Sequence, residues 1–313
     1  MQRQVADATS AIGNTPLVEL RRIAPRGHAR VLVKLECLNP TGSMKDRMAL
    51  SVVDRAAASG RLARNGTLVE YTGGSTGTSL AFVCAARGFA ITVVTSDAFS
   101  REKRDHMRAL GANVIEISSR GLGITKELIQ AMMRKAAELS EPPTAFAADQ
   151  FNNVDALAGY APLGEEIWDQ TGGRVDAFVQ AVGTGHCLAG VATVLRRRNP
   201  GLRIVAVEPA ESPVLSGGRP GAHHIEGVGP GFVPPLWNPK LPDEIVAVST
   251  SDAMEMSRRL AREEGLFGGT SSGANVVAAL RTAERMDSNR AVVTLICDTG
   301  IKYLSTELYS SGA

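Results

Sequence analysis

Strand-like and helix-like segments alternate almost without interruption along this chain, and that alternation restricts the fold more than any single motif. Residues 30–36 alternate apolar and polar as a strand does. Met48, Ala49, Val52, Val53, Ala56 and Ala57 then recur at helical spacing until Gly60 stops the pattern. Residues 67–71 read as a strand, 79–86 as a mostly apolar helix ended by Gly88, and 91–94 as a buried strand. A charged helix over 100–110, a strand over 113–118 and a helix over 124–139 follow. The second half repeats the logic: helix 156–170, strand 175–182, helix 188–198 and strands 203–207 and 244–248. A helix through Glu264 opens with Asp252 and Glu255 spaced as a capping box. Helix 274–285 and strand 292–297 end the series. An α/β fold of mostly parallel sheets flanked by helices is expected, with ligands beyond the carboxyl ends of the strands.

The joints between these elements hold the chemistry. Lys45 stands at a loop-to-helix junction behind Asn39-Pro40-Thr41-Gly42-Ser43-Met44, where the chain bends tightly and a ligand can approach closely. An amine partly shielded from water suits Schiff-base formation; a solvated lysine in a first helical turn is the plainer reading of that position alone. Gly183-Thr184-Gly185-His186-Cys187 lies between a strand and a helix, a natural seat for a phosphate. The dinucleotide fingerprint is incomplete, because Leu188 occupies the place of its third glycine. Ser271-Ser272-Gly273 reads by itself as a helix N-cap. Residues 211–242 are rich in Gly, Pro and Ser and lack a period, which in a compact protein points to function. His223 and His224 have no third ligand at metal-binding spacing, so loop histidines and no metal are expected.

Composition narrows the partners. Lys and Arg number 34 against 32 Asp and Glu, a net charge of +2, so there is no electrostatic case for nucleic acid or a membrane surface. The Arg196-Arg197-Arg198 run falls at a helix end, where cations favour the dipole. Cys37, Cys84, Cys187 and Cys297 are scattered without paired spacing, and read as buried free thiols in a reducing compartment. With no apolar leader at the polar start of the sequence, a cytoplasmic protein is expected.

The segment from Asn39 to Arg47 resembles the lysine segment of the cysteine synthase (O-acetylserine sulfhydrylase) and cystathionine β-synthase family. These are fold-type II enzymes that use pyridoxal 5′-phosphate. Ile12-Gly13-Asn14-Thr15-Pro16-Leu17-Val18, Thr72-Gly73-Gly74-Ser75-Thr76-Gly77 and Gly183-Thr184-Gly185 are similar to further family motifs, in the family's order. So are Val207-Glu208-Pro209, the segment from Gly227 to Pro234, and Ser271-Ser272-Gly273-Ala274. The likeness implies a two-domain, tryptophan synthase β-like architecture. Residues 36–147 would form a smaller domain carrying the lysine, and residues 1–35 and 148–313 a larger, phosphate-binding one.

Residue roles follow from the same resemblance. Lys45 would carry the cofactor as an imine and serve as the catalytic base. Gly183, Thr184, Gly185, His186 and Cys187 would hold the phosphate, although the family usually has glycine and threonine where this chain has His186 and Cys187. Ser271 would meet the ring nitrogen. A hydroxyl there leaves the ring nearly neutral and favours loss of a β-substituent over transamination. Ser75 replaces an asparagine that normally reaches the ring's 3′-oxygen, and Gly73 replaces a serine. Thr72, Gly73, Gly74, Thr76, Gln150 and Gly227 would contact the amino-acid substrate. The implied reaction is β-replacement on an O-activated L-serine such as O-acetylserine, with sulfide adding to an aminoacrylate to give L-cysteine. Cystathionine synthesis, use of O-phosphoserine and β-elimination are the enzymatic alternatives on this scaffold. A non-catalytic phosphate-ligand-binding protein is the alternative outside enzymes. The family implies a homodimer.

Overall fold

The computed structural model of the chain describes residues 7–24, 26–121 and 125–310; the polar start and Ile124, where the helix over 124–139 is expected to begin, lie outside them. In chain order the elements are β1 (Leu17–Glu19), β2 (Arg30–Lys34), α1 (Lys45–Ala58), β3 (Thr67–Tyr71), α2 (Ser75–Arg87), β4 (Ala90–Ser96), α3 (Arg101–Ala109) and β5 (Asn113–Ile117). Then come α4 (Lys126–Leu139), β6 (Ala145–Ala147), α5 (Val154–Ala158), α6 (Ala161–Gln170), β7 (Ala177–Ala181), α7 (His186–Arg198) and β8 (Arg203–Pro209). The last are β9 (Glu244–Val248), α8 (Thr250–Arg259), α9 (Thr270–Ala283) and β10 (Ala291–Leu295). Two compact units result: residues up to Ile12 with Asn39–Gly159, and Gly13–Leu38 with Tyr160 onward.

The first unit is built on a four-stranded sheet, ordered β5-β4-β3-β6 and parallel throughout. Leu68, Val69 and Glu70 are buried in succession, as they must be in a strand covered on both faces. Val69 and Val94 pack with Leu128, Met132 and Ala136 of α4. The sheet's strand order reverses between β3 and β6, which leaves a crevice at their carboxyl ends.

The second unit carries a six-stranded sheet, β1-β2-β10-β7-β8-β9, parallel except for the antiparallel pairing of the short β1 on β2. All five residues of β7 and of β10 are buried. Here the order reverses between β7 and β10. Helix α9 runs under that sheet with almost every residue buried, which its small and apolar sequence permits. It crosses α8 so closely that a Cβ on Gly273 would lie 1.9 Å from the Ala253 carbonyl oxygen.

Four local expectations are corrected. The helix expected over 156–170 is two, α5 and α6, because Pro162 in the first turn of α6 lacks an N–H and cannot follow Ala158 in a continuous helix. The N-cap before α8 is Ser249, whose Oγ accepts from the Asp252 N–H at 3.1 Å; Asp252 lies inside the first turn. That helix ends at Arg259 and widens into a π-turn over Leu260–Glu264. Gly269, and not Ser271 or Ser272, caps α9, so both serines lie within its first turn.

Candidate active site

In the first unit the expected residues gather at the β3/β6 crevice. Lys45 is the first residue of α1, half-buried, and its amine makes no hydrogen bond or ion pair among the described residues. The loop before it is fixed by Thr41, whose N–H and hydroxyl donate to Asp46 at 2.8 and 2.5 Å. The Thr41 hydroxyl also lies 3.3 Å from that of Ser79, which ties the lysine loop to α2. Sequence reasoning missed this clasp, although a threonine five residues before an aspartate in a tight loop is a readable signal.

The loop after β3 is shorter than the sequence suggested, because α2 begins at Ser75 and not at Ser79. Gly74 is its N-cap at φ 143°, a conformation that suits glycine. Thr72 Oγ1 accepts from the Gly74 N–H at 3.0 Å, so its own proton remains to donate. Thr76 donates to Gln150 Oε1 at 2.8 Å, while Gln150 Nε2 donates to the Tyr71 carbonyl at 3.0 Å. These two bonds orient the Gln150 amide and leave one N–H of Nε2 for a ligand. The Thr76 hydroxyl thus holds the Gln150 amide in place. The start of α2 adds amide N–H groups without intrahelical acceptors and a positive helix end. A carboxylate is the ligand that such a set of donors suits. Ser75 is half-buried in the same turn. Gly73 lies against the Phe99 ring, 2.7 Å from where a Cβ would stand, so the aromatic ring takes the space of a side chain at 73.

In the second unit the expected residues gather at the β7/β10 crevice. The loop Gly183–Cys187 leaves the carboxyl end of β7 and enters α7 through Gly185, the helix N-cap at φ 86°. A Cβ on Gly183 would stand 2.4 Å from the Gly227 carbonyl oxygen, so only glycine fits while the two loops touch. The Glu226 N–H next to it donates to Thr270 Oγ1 at 3.0 Å, at the start of α9. Ser272 Oγ accepts from the Cys297 N–H at 2.9 Å and joins that start to the end of β10. Gly183, Gly227 and Ser271 are therefore brought to one edge. Ser271 is buried, and its hydroxyl makes no hydrogen bond among the described residues. His186 and Cys187 are buried in the first turn of α7. Thr184 is half-buried. A loop with glycine at 183 and 185 leading into a thirteen-residue helix fits a phosphate, and a buried hydroxyl beside it fits a ring nitrogen.

Asn275, one turn beyond Ser271, was also missed. It is fully buried, accepts from the Ala181 N–H at 2.7 Å and donates to the Leu295 carbonyl at 3.0 Å. β7 and β10 pair only at Val292 with Ala177 and Val293 with Phe178, so this amide bridges the strands where they part.

Outside these clusters the chemistry is quiet. All four cysteines are free, and burial pushes the Cys37 and Cys84 thiols up to about 12, which makes them poor nucleophiles. His223 Nε2 bonds the Gly229 carbonyl at 2.8 Å, and the His224 ring contacts Glu307. Among the described residues no three His, Cys, Asp or Glu are grouped to hold a metal ion, and no helix is long and apolar enough to cross a membrane.

Comparison with known proteins agrees with this layout. Cysteine synthase of Staphylococcus aureus (strain Mu50 / ATCC 700699) is 42% identical over 311 residues, 99% of this chain and 98% of the relative. The crystal structure of O-acetylserine sulfhydrylase isoform 3 from Entamoeba histolytica superposes with a TM-score of 0.93 at 36% identity, covering 100% of this chain and 93% of that one. That of O-ureido-L-serine synthase gives 0.91 at 39%, covering 99% and 98%. The family described as "Pyridoxal-phosphate dependent enzyme" matches residues 8–298, so the chain belongs to the pyridoxal-phosphate dependent enzymes and its cofactor is pyridoxal 5′-phosphate.

Proposed function

We propose that the enzyme replaces the β-substituent of an O-acylated L-serine, O-acetylserine in the first instance, with sulfide to give L-cysteine. The relatives named above support this reading, since they are a cysteine synthase, an O-acetylserine sulfhydrylase and an O-ureido-L-serine synthase. The observation that carries it is the half-buried Lys45 amine, without a partner among the described residues, at the start of α1.

By the family resemblance Lys45 would hold the cofactor's aldehyde, the loop from Gly183 to Cys187 would take its phosphate, and Ser271 would meet its ring nitrogen. When bound, pyridoxal phosphate supplies the electron sink that makes the amino acid's α-hydrogen acidic. The Thr72 hydroxyl, the Gln150 amide and the N–H groups opening α2 hold the substrate carboxylate, with Gly73 and Gly74 giving it close access to the backbone. By the same resemblance Ser75 would meet the cofactor's ring and Gly227 the substrate. Lys45 would take the substrate's α-proton and later return it. Turnover in two halves then gives ping-pong kinetics.

A nucleophile other than sulfide is the second reading. It is favoured by Phe99, which packs where the family's serine side chain would stand at position 73. We also infer a homodimer in the cytoplasm, by family resemblance and from the free thiols. The test is direct: the purified holoenzyme should show a visible cofactor band that changes on addition of O-acetylserine, and should release cysteine with sulfide. A band indifferent to O-acetylserine, with no cysteine formed, overturns the reading. Light scattering of the holoenzyme checks the dimer.

A further inference from the structure

Glu70 is an acid directly after the buried Leu68 and Val69 of β3, and it is 2% exposed. Its carboxylate is engaged with the backbone on both sides: Oε1 accepts from the Tyr71 N–H at 3.0 Å, and Oε2 from the Gln150 N–H at 3.0 Å. Among the described residues no cation pairs with this group; the titratable groups that act on it are Asp149, on the same turn as Gln150, and the Tyr71 hydroxyl. The turn itself is held awkwardly, since Asp149 adopts φ 46°, where a non-glycine residue needs support. The Gln150 side chain then reaches back over this same carboxylate to bond Tyr71 and Thr76.

A leucine or valine would fill the Glu70 space at lower cost, because a buried carboxylate loses its hydration. What a carboxylate does that they cannot is hold two N–H groups from two different strands' ends at once. We infer that Glu70 is a positioning residue for substrate, fixing the Gln150 turn on the end of β3 so that the Gln150 amide is presented to the substrate carboxylate. This rests on the proposed role of Thr72, Thr76 and Gln150 in binding that carboxylate. Burial pushes the Glu70 carboxyl up to about 8, against the two N–H bonds and with Asp149 adding to the rise. Protonation turns one of its acceptor oxygens into a donor that faces a backbone N–H, and the clamp loosens.

The test uses the holoenzyme and its visible cofactor band, titrated with L-serine and with ethanolamine, which lacks the carboxylate. Glu70→Gln keeps the size of the side chain and one acceptor but turns an NH2 toward the other N–H. It should weaken L-serine roughly tenfold at pH 9, the size expected for a hydrogen bond to a charged group, and leave ethanolamine within about twofold. The wild-type advantage for L-serine should shrink toward pH 6, as the wild-type carboxyl takes up its proton; because it is a ratio, the titration of the ligand's own amine cancels. Equal weakening of both ligands, or unchanged L-serine affinity in a variant that keeps its band, overturns the inference. Glu70→Asp, which keeps the charge but draws it back by one methylene, provides a second variant should Glu70→Gln fail to fold; an L-serine affinity equal to wild type in it overturns the inference too. A wild-type band that responds to no amino acid counts against the proposed reaction instead.

Discussion

Replacing Asn275 by alanine should damage the second unit more than its size suggests. The side chain is fully buried and stands where β7 and β10 part, so no strand is available to take over its bonds. Removing it leaves the Ala181 N–H without its 2.7 Å acceptor and withdraws a donor from the Leu295 carbonyl. It also removes contacts at 3.1 Å to Gln180 Oε1 and at 3.2 Å to the Cys297 sulfur. A buried group left unsatisfied costs about 1–3 kcal/mol. With one N–H orphaned outright and one carbonyl weakened, the loss comes to about 3 kcal/mol, before any cavity is counted. Against a typical total of about 5–15 kcal/mol, that is a large fraction. Urea unfolding followed by far-UV circular dichroism, with both variants loaded with cofactor, measures it. The midpoint should fall with the slope unchanged. Asn275→Asp, which keeps the acceptor but cannot donate to Leu295, should be no milder at neutral pH. A loss below about 1 kcal/mol at constant slope would refute the view that this amide stands in for missing strand pairing. Ser271 lies one turn earlier on the same helical face, so the cofactor band should also shift in any folded variant.

Other perturbations follow from the same geometry. Lys45→Ala should abolish the aldehyde-linked visible band and reduce turnover by several orders of magnitude; retained activity would exclude Lys45 as the base. Gly183→Val should lower affinity for pyridoxal phosphate at least about tenfold, since its Cβ would press on the Gly227 carbonyl at 2.4 Å; absorbance titration of the apoprotein checks this. Gly273→Ala should cost about 1–3 kcal/mol by pushing α9 off Ala253, read from thermal unfolding. Glu70 keeps its proton up to about 8 when folded but releases it near the ordinary glutamate value when unfolded. The unfolded chain then binds fewer protons between those limits, so stability falls as pH rises through that window, by at most about 1.4 kcal/mol per pH unit. Glu70→Gln should remove that part of the slope, measured by urea unfolding at pH 5 and pH 8.

The alternation of strand and helix was readable because each buried strand is a short apolar run bounded by glycine or a polar turn; β3 and β9 have the bounds that their sequence suggests. Helix starts were less readable. Residues at the head of α2, α7 and α9 are small or polar, so their pattern looks like loop until the apolar face begins. Those first turns are where the proposed ligand-facing residues sit, and this is why the sites looked like loops in the sequence. Lys45, Thr72, Thr76, Gln150, Gly183 and Ser271 could be named from motifs. Glu70 and Asn275 could not, because their work is to bond backbone groups that only the folded chain brings near. The acid directly after Leu68 and Val69 in β3 was nevertheless a visible anomaly, and Pro162 a visible helix break.

The pairing of β2 with β10 joins Arg30 to Ala291, positions about 260 residues apart in the chain. Every strand of the β5-β4-β3-β6 sheet, by contrast, is made from one continuous stretch, Thr67 to Ala147, that is synthesised well before β10. On the ribosome, that sheet can complete itself while β1 and β2 wait without their parallel neighbour, exposing the apolar Val31, Leu32 and Val33 for most of translation. The hazard period for aggregation of a nascent chain of this kind is thus set by its last strand, and substitutions that slow or weaken β10 should lower soluble yield out of proportion to their effect on the finished enzyme.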